Sequence, residues 1–186
     1  MSARDVIGQI DGLMQKTLEK MKSDFGTLRT GRASATLLEN VKVDYYGSLT
    51  PIHQMANVSA PEARTLEIKV WDKGALQSIE KAIQKSDLGL TPSNDGNVIR
   101  LQIPKLTEER RKDLIRVVRK MAEEYRVSVR NERRDGLEKL KKAEKAKEIA
   151  EDDLNTAEHD VQKMTDSYIK RVDEMLAAKE RDIMEV

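Results

Sequence analysis

The stretch Thr107-Glu-Glu-Arg-Arg-Lys-Asp-Leu-Ile-Arg-Val-Val-Arg-Lys-Met-Ala-Glu-Glu-Tyr-Arg126 decides how this chain folds. Thr107 is a good helix N-cap, because its side-chain oxygen can accept from a first-turn amide. Glu108 and Glu109 put negative charge at the positive end of the helix. Leu114, Val117, Val118, Met121 and Tyr125 then share one side of a helix. The pattern runs without proline to about Lys147. That is ~40 residues, or ~60 Å of helix. A helix this long and amphipathic needs partners for its apolar stripe.

Two further segments supply them. Residues 2–28 repeat Ile7, Met14, Met21 and Leu28 every seven residues, with Leu18 and Phe25 on the same stripe. Glu151-Asp-Asp153 reads as the acidic first turn of a third helix, whose stripe is Leu154, Ala157, Val161, Met164, Tyr168, Val172 and Met175, running toward Ile183. Between Thr30-Gly31 and Pro104 the texture changes, and all four prolines (51, 61, 92 and 104) fall there. Val41–Tyr46 alternates like a strand, Gly47-Ser48 is a turn, and Thr65–Trp71 alternates again with Leu66, Ile68 and Val70 on one face. Leu76, Ile79 and Ile83 have helical spacing, Thr91–Gly96 is a loop, and Val98, Leu101 and Ile103 mark a last strand. The expectation is an α+β chain of two domains. Residues 1–29 plus 106–186 form an elongated antiparallel three-helix bundle, and residues 32–103 form an inserted small α/β domain. The two crossings, at Thr30-Gly31 and Pro104-Lys105, make a joint able to act as a hinge. Helices that instead pair with other molecules in a coiled coil are the alternative.

Net charge is +1, from 34 basic and 33 acidic residues. The balance hides a segregation: residues 107–147 carry 15 basic and 9 acidic residues, and residues 148–186 carry 5 and 12. Turning each residue by about 100° gathers Lys112, Arg116, Arg119, Arg126, Arg130, Arg133 and Arg134 into one arc, nearly opposite the apolar side. Glu123 is the acid inside that arc, whereas Glu132 falls on the apolar side. Solvated helix faces usually mix signs for i,i+4 pairing. One-sided arginine suits phosphate oxygens, which guanidinium grips bidentately. An acidic protein, or the acidic third helix itself, is the competing partner.

Most catalytic classes are excluded. No cysteine is present, which removes thiolate metal sites and thiol nucleophiles. His53 and His159 stand alone, and no phosphate-binding glycine loop or nucleophile elbow occurs. No metal or other cofactor is expected. The aromatics are Phe25, Tyr45, Tyr46, Trp71, Tyr125 and Tyr168. Three lie on helical core stripes and three belong to the α/β unit, where one face must be buried. RNA recognition is therefore expected through backbone and shape. The first residues lack an apolar stretch of signal-peptide length, and a bacterial-type cytoplasmic protein is expected.

Several strings then become recognisable in order along the chain. They are Arg29-Thr-Gly-Arg-Ala-Ser34, Ser86-Asp-Leu-Gly-Leu90, Leu106-Thr-Glu-Glu-Arg-Arg-Lys112, Val129-Arg-Asn-Glu-Arg-Arg-Asp135 and Val161-Gln-Lys-Met-Thr-Asp166. The chain resembles the ribosome recycling factor family. The resemblance implies an L-shaped molecule, a three-helix bundle with a hinged α/β domain. It implies a monomer that is not an enzyme, with neither membrane nor DNA as partner. It implies binding to the post-termination 70S ribosome through 50S ribosomal RNA. With elongation factor G and GTP, such a factor splits the ribosome into subunits and releases messenger and transfer RNA. The rRNA-binding residues it implies are Arg29, Arg32, Arg110, Arg111, Arg130, Arg133 and Arg134, of which the last three also lie on the arc. Two departures stand out: Glu132, an acid expected to weaken a nearby phosphate contact, and Gly136, expected to cost its helix about 1 kcal/mol.

Overall fold

The computed structural model describes residues 1–185. Its backbone packs into two compact units, Met1–Lys22 with Ile115–Arg181, and Ser23–Leu114 with the segment from Asp182. Thr30, Gly31, Pro104 and Lys105 all lie in the second of these.

The first unit is helical. Helix α1 covers Ala3–Gly26, opened by a reciprocal cap in which the Asp5 amide donates to Ser2 Oγ and the Ser2 amide to Asp5 Oδ2. The long helix α3, Glu108–Lys145, begins where Thr107 implies, with the Arg110 amide donating to Thr107 Oγ1 at 3.1 Å. It ends in a Schellman-type turn. Lys147 takes φ 59°, its amide bonds the Glu144 carbonyl, and the Glu148 amide bonds the Ala143 carbonyl. Helix α4, Glu151–Met184, follows directly. So short a connection returns α4 antiparallel to α3.

The bundle core is thin. Its main cluster is Val6, Ile10, Met14, Val129, Leu140, Ala157, Val161 and Tyr168, edged by half-buried Ile7, Leu18, Leu137, Leu154 and Met164, and Met21, Val118, Ala122 and Val172 are buried beyond it. Two expectations change here. Val117, expected inward, is exposed, and Ala122 and Val129 fill the stripe beside Val118. Gly136 is not a tolerated weakness, because a Cβ there would occupy the space taken by the Ile10 side chain. The glycine is what lets α1 approach α3 so closely.

The second unit contains α2 (Leu76–Lys85) and six strands: β1 (Lys42–Tyr45), β2 (Ser48–Pro51), β3 (Ala56–Glu62), β4 (Thr65–Val70), β5 (Pro92–Asn94) and β6 (Val98–Gln102). An antiparallel sheet runs β3-β4-β6-β5, and β1-β2 form a separate hairpin. Leu66 and Ile68 sit opposite Leu101 and Ile99, and all four are fully buried with Ile79, Ile83, Val43 and Ile52. Sequence reading missed β2, β3 and β5. Each is short or polar, and β3 and β5 are edge strands carrying Pro61 and Pro92, the place where a sheet accepts proline. The aromatic residues of this unit also depart from expectation: Tyr46 and Trp71 are exposed, and only Tyr45 packs against the core.

Candidate nucleic-acid interface

The arc on α3 is not uniform. Arg126 is half-buried, with a side chain only 19% exposed. Its Nε and Nη2 both donate to Asp173 Oδ1 of α4, at 2.8 and 2.6 Å, and its Nη1 donates to Glu123 Oε2 at 3.0 Å. That arginine is held by the bundle itself. Arg119 Nε donates to Glu180 Oε1 at 2.7 Å yet stays 63% exposed. Lys112 and Arg116 are exposed.

One turn beyond Arg126 the balance changes. Arg130 is exposed and donates to Glu123 Oε1 at 3.2 Å. Arg134 is exposed, and its Nη2 donates to neutral Asn131 at 2.6 Å. Arg133 is half-buried; its Nη1 reaches the amide oxygen of Gln162 on α4 at 3.1 Å, and its buried Nε has no partner. Arg133 and Arg134 thus have neutral hydrogen-bond acceptors, not carboxylates, and both keep full charge for an outside anion. Glu123 serves two guanidinium groups, which hold its carboxyl below the usual carboxylate range.

Glu132 does not intrude on this surface. It turns toward α1, where its Oε1 accepts from Thr17 Oγ1 and its Oε2 is buried without a partner. Burial raises its carboxyl above the ordinary value. The expected weakening of a phosphate contact therefore has no structural basis, and the acid's cost falls on the bundle. Nearby, Tyr168 Oη donates to Asp11 Oδ1 at 2.6 Å, and burial with that bond pushes its hydroxyl up to about 12.

The other expected arginines lie in the second unit. Arg29 Nη1 donates to the Leu88 carbonyl at 2.6 Å and so clamps the loop around Gly89, which has φ 63°. Arg29 and exposed Arg110 line one open groove of about 1090 Å³ with Lys42, Lys81 and Lys85. Those lysines were missed by sequence reading. Lys81 and Lys85 are an i,i+4 pair on α2, which resembles any solvated helix face, and Lys42 opens β1. Arg32 is exposed and pairs with Asp182 at 3.3 Å and Glu185 at 3.9 Å. Arg111 is half-buried, with Nη1 at 3.5 Å from the Met184 carbonyl and a buried, unpartnered Nε. No group of residues suited to hold a metal ion occurs among the described residues, and none of their helices is long and apolar enough to cross a membrane.

Comparison with known proteins gives one consistent result. A family model described as ribosome recycling factor matches residues 21–184. The ribosome-recycling factor of Syntrophomonas wolfei is 56% identical over 183 residues, covering 98% of this chain and 99% of that one. That of Clostridioides difficile is 56% identical over 178 residues, covering 96% of each. A solution structure of the ribosome recycling factor superposes with a TM-score of 0.80 at 43% identity, over 100% of this chain and 99% of that chain. A second solved structure, with a TM-score of 0.72 at 48% identity, covers 98% of this chain and 99% of that one. It models the T. thermophilus ribosome recycling factor and the E. coli elongation factor G bound to the E. coli post-termination complex.

Proposed function

Because the chain belongs to the ribosome recycling factor family, we propose that it docks on large-subunit ribosomal RNA through the exposed arginines of α3. It is a translation factor, not an enzyme, and its task is to free the post-termination ribosome for a new round of translation. The carrying observation is the cluster Arg130, Arg133 and Arg134, where guanidinium groups outnumber the one nearby carboxylate that binds any of them. Phosphate contacts position such a protein on folded RNA without base readout. Arg32, Arg110 and Arg111 extend the reading to the second unit, with Arg29 holding the loop beside them. The competing idea, that α4 alone neutralises the arc, finds support at Arg126 and less at Arg119, which remains open to solvent.

The partners on this reading are the 50S subunit within the 70S ribosome and elongation factor G, whose GTP hydrolysis supplies the work. The factor acts as a monomer in the cytoplasm. Thr30, Gly31, Pro104 and Lys105 form the proposed hinge. Both crossings, 27–34 and 103–107, lack regular helix or strand, and Gly31 takes φ 78°, open to few residues but glycine. Co-sedimentation with purified 50S subunits at two salt concentrations tests the docking. Binding should fall steeply with salt, and a flat response removes the phosphate account. A cross-link joining the two crossings should leave 50S binding intact and stop splitting; normal splitting rules out the hinge.

A further inference from the structure

The open groove of about 1090 Å³ in the second unit draws its cations from four separate segments. Arg29 lies in the first crossing, Lys42 opens β1, Lys81 and Lys85 stand one turn apart on α2, and Arg110 lies in the first turn of α3. Among the described residues, Asp44 and Asp87 are the only carboxylates lining it, so five positive charges face two negative ones, a net +3. The whole chain carries only +1. Elsewhere the fold neutralises exposed arginine: Arg32, Arg100, Arg119 and Arg130 each pair with a carboxylate. In the groove, none of the five cations forms an ion pair with a described residue.

Ordinary structural roles account for little of this. Lys85 sits in the last turn of α2, where a cation complements the negative helix end. Arg29 has a scaffold duty as well, since its Nη1 donates to the Leu88 carbonyl at 2.6 Å. Lys42, Lys81 and Arg110 have neither role: their side chains are exposed and make no hydrogen bond to a described residue. The acids do not answer them, and Asp44 Oδ1 instead accepts from the Gly47 amide at 3.0 Å. Like charges gathered without counter-ions repel one another, and a bound anion relieves that repulsion.

Shape and lining select a small ligand over a long polymer. Clefts for small molecules are concave, hold roughly 300–1,000 Å³ and mix an apolar lining with a few convergent polar groups. Here Leu37, Val41, Ala82 and Leu88 supply the apolar part, and the Asn40 and Ser78 side chains are hydrogen-bonding groups without a partner among the described residues. Unpaired bases of a strand stack on aromatic side chains, and no aromatic residue lines the groove. Double-stranded RNA is a convex rod read by its shape and phosphates, which an exposed helix face fits and a concavity does not. Three excess positive charges in a concave site fit a short chain of phosphates, whose oxygens lysine and arginine both bind.

We propose that this groove binds a nucleoside polyphosphate, with the phosphates on Lys42, Lys81, Lys85 and Arg110 and the nucleoside on the apolar floor. Such binding needs neither ribosome nor elongation factor G, so it does not depend on the recycling reading. Calorimetric titration of the full chain with ATP, GTP and inorganic tripolyphosphate tests it. Both nucleotides should bind saturably, one per chain, and tripolyphosphate more weakly. Lys42→Ala with Lys81→Ala should weaken nucleotide binding by about tenfold or more, because one charge-assisted hydrogen bond is worth about that much. Lys81→Gln alone, an exposed change that keeps the helix, should show part of the loss, and Lys139→Ala, outside the groove, should show none. Absence of saturable binding overturns the proposal, as does equal affinity in the double lysine variant. Tripolyphosphate binding as tightly as GTP also overturns it, since the nucleoside then has no place in the groove. The double variant should still sediment with 50S subunits like the parent; a loss there would give the groove to ribosomal RNA and overturn the assignment to a small ligand. The recycling reading fails separately, through the arginine variants of α3, which should leave the nucleotide titration unchanged.

Discussion

The two units of this protein are stabilised in different ways. The sheet unit gathers 18 buried apolar residues into one cluster, whereas the bundle strings its buried residues along its length, eight in one cluster with Met21, Val118, Ala122 and Val172 buried outside it. The sheet unit therefore has redundancy. The bundle makes up for its thin core with shape and with polar ties between helices. Its helices close on Gly136, and Tyr168 and Glu132 reach across to Asp11 and Thr17 of α1. The proposed RNA-binding arginines project from a helix whose other side is this sparse interior. A single misplaced atom inside the bundle should thus cost more than one in the sheet unit, and a charge reversal on the outside should cost only binding.

The largest effect expected is at Gly136. Alanine usually stabilises a helix interior by about 1 kcal/mol over glycine. Here the added methyl collides with Ile10, and overpacking costs about 1–3 kcal/mol. Gly136→Ala should therefore lower the urea midpoint of the bundle. The double variant with Ile10→Ala should recover part of the loss, because the two side chains compete for one space. A rise in stability on Gly136→Ala alone would mean that the close approach of α1 and α3 is wrong.

Arg130→Glu with Arg133→Glu comes next, and reads out in binding. Affinity for 50S subunits should fall by one to two orders of magnitude, and the salt slope should flatten by about one unit for each phosphate left unbound. Stability should change by less than about 0.5 kcal/mol for Arg130→Glu, the usual result for surface substitutions, and by more for half-buried Arg133, which gives up its bond to Gln162. A melting loss equal to that of Gly136→Ala would assign these arginines to the bundle instead.

Glu132 gives a smaller effect with a defined sign. Its folded carboxyl titrates above the ordinary 4.5 because burial disfavours the charge. The folded state thus binds the proton more tightly than the unfolded one, and this group's contribution to stability grows as pH falls toward 4.5. Above its folded value the charge is a net cost. Glu132→Gln should be more stable than the parent at pH 7.5, and the difference should shrink at pH 5. Denaturation curves at the two pH values decide it. A difference that widens on acidification would show the carboxylate to be stabilised in place.

The limits of the sequence follow the same division. Periodicity and caps placed α3 and α4 closely, because those signals are local. Alternation along Thr65–Val70 placed the core of the sheet unit. Strands β3 and β5 carry little of that signal, since an edge strand with proline has no buried alternation to display. Rotation along α3 put Arg126 and Arg130 on one arc, and it could not separate them. What separates them is Asp173, 47 positions away on another helix. Glu132 and Gly136 were misread for the same reason: their meaning lies in Thr17 and Ile10, which meet α3 only after folding.

Glu123 sharpens the comparison at its finest grain, because it touches one arginine of each kind. It shares Arg126 with Asp173, and it accepts the one hydrogen bond described for Arg130. Arg130 turns its Nη1 to a phosphate only by giving up Glu123. The exchange costs what an exposed pair is worth, about 0.2–1 kcal/mol. Glu123→Gln should then raise 50S affinity by no more than about fivefold, with Arg126 still anchored by Asp173 and the fold unchanged. Asp173→Asn should not raise it, because that change loosens an arginine the bundle holds. Reduced binding on Glu123→Gln would mean that the carboxylate aims Arg130 at the RNA, and competition would then be the wrong description of their pairing.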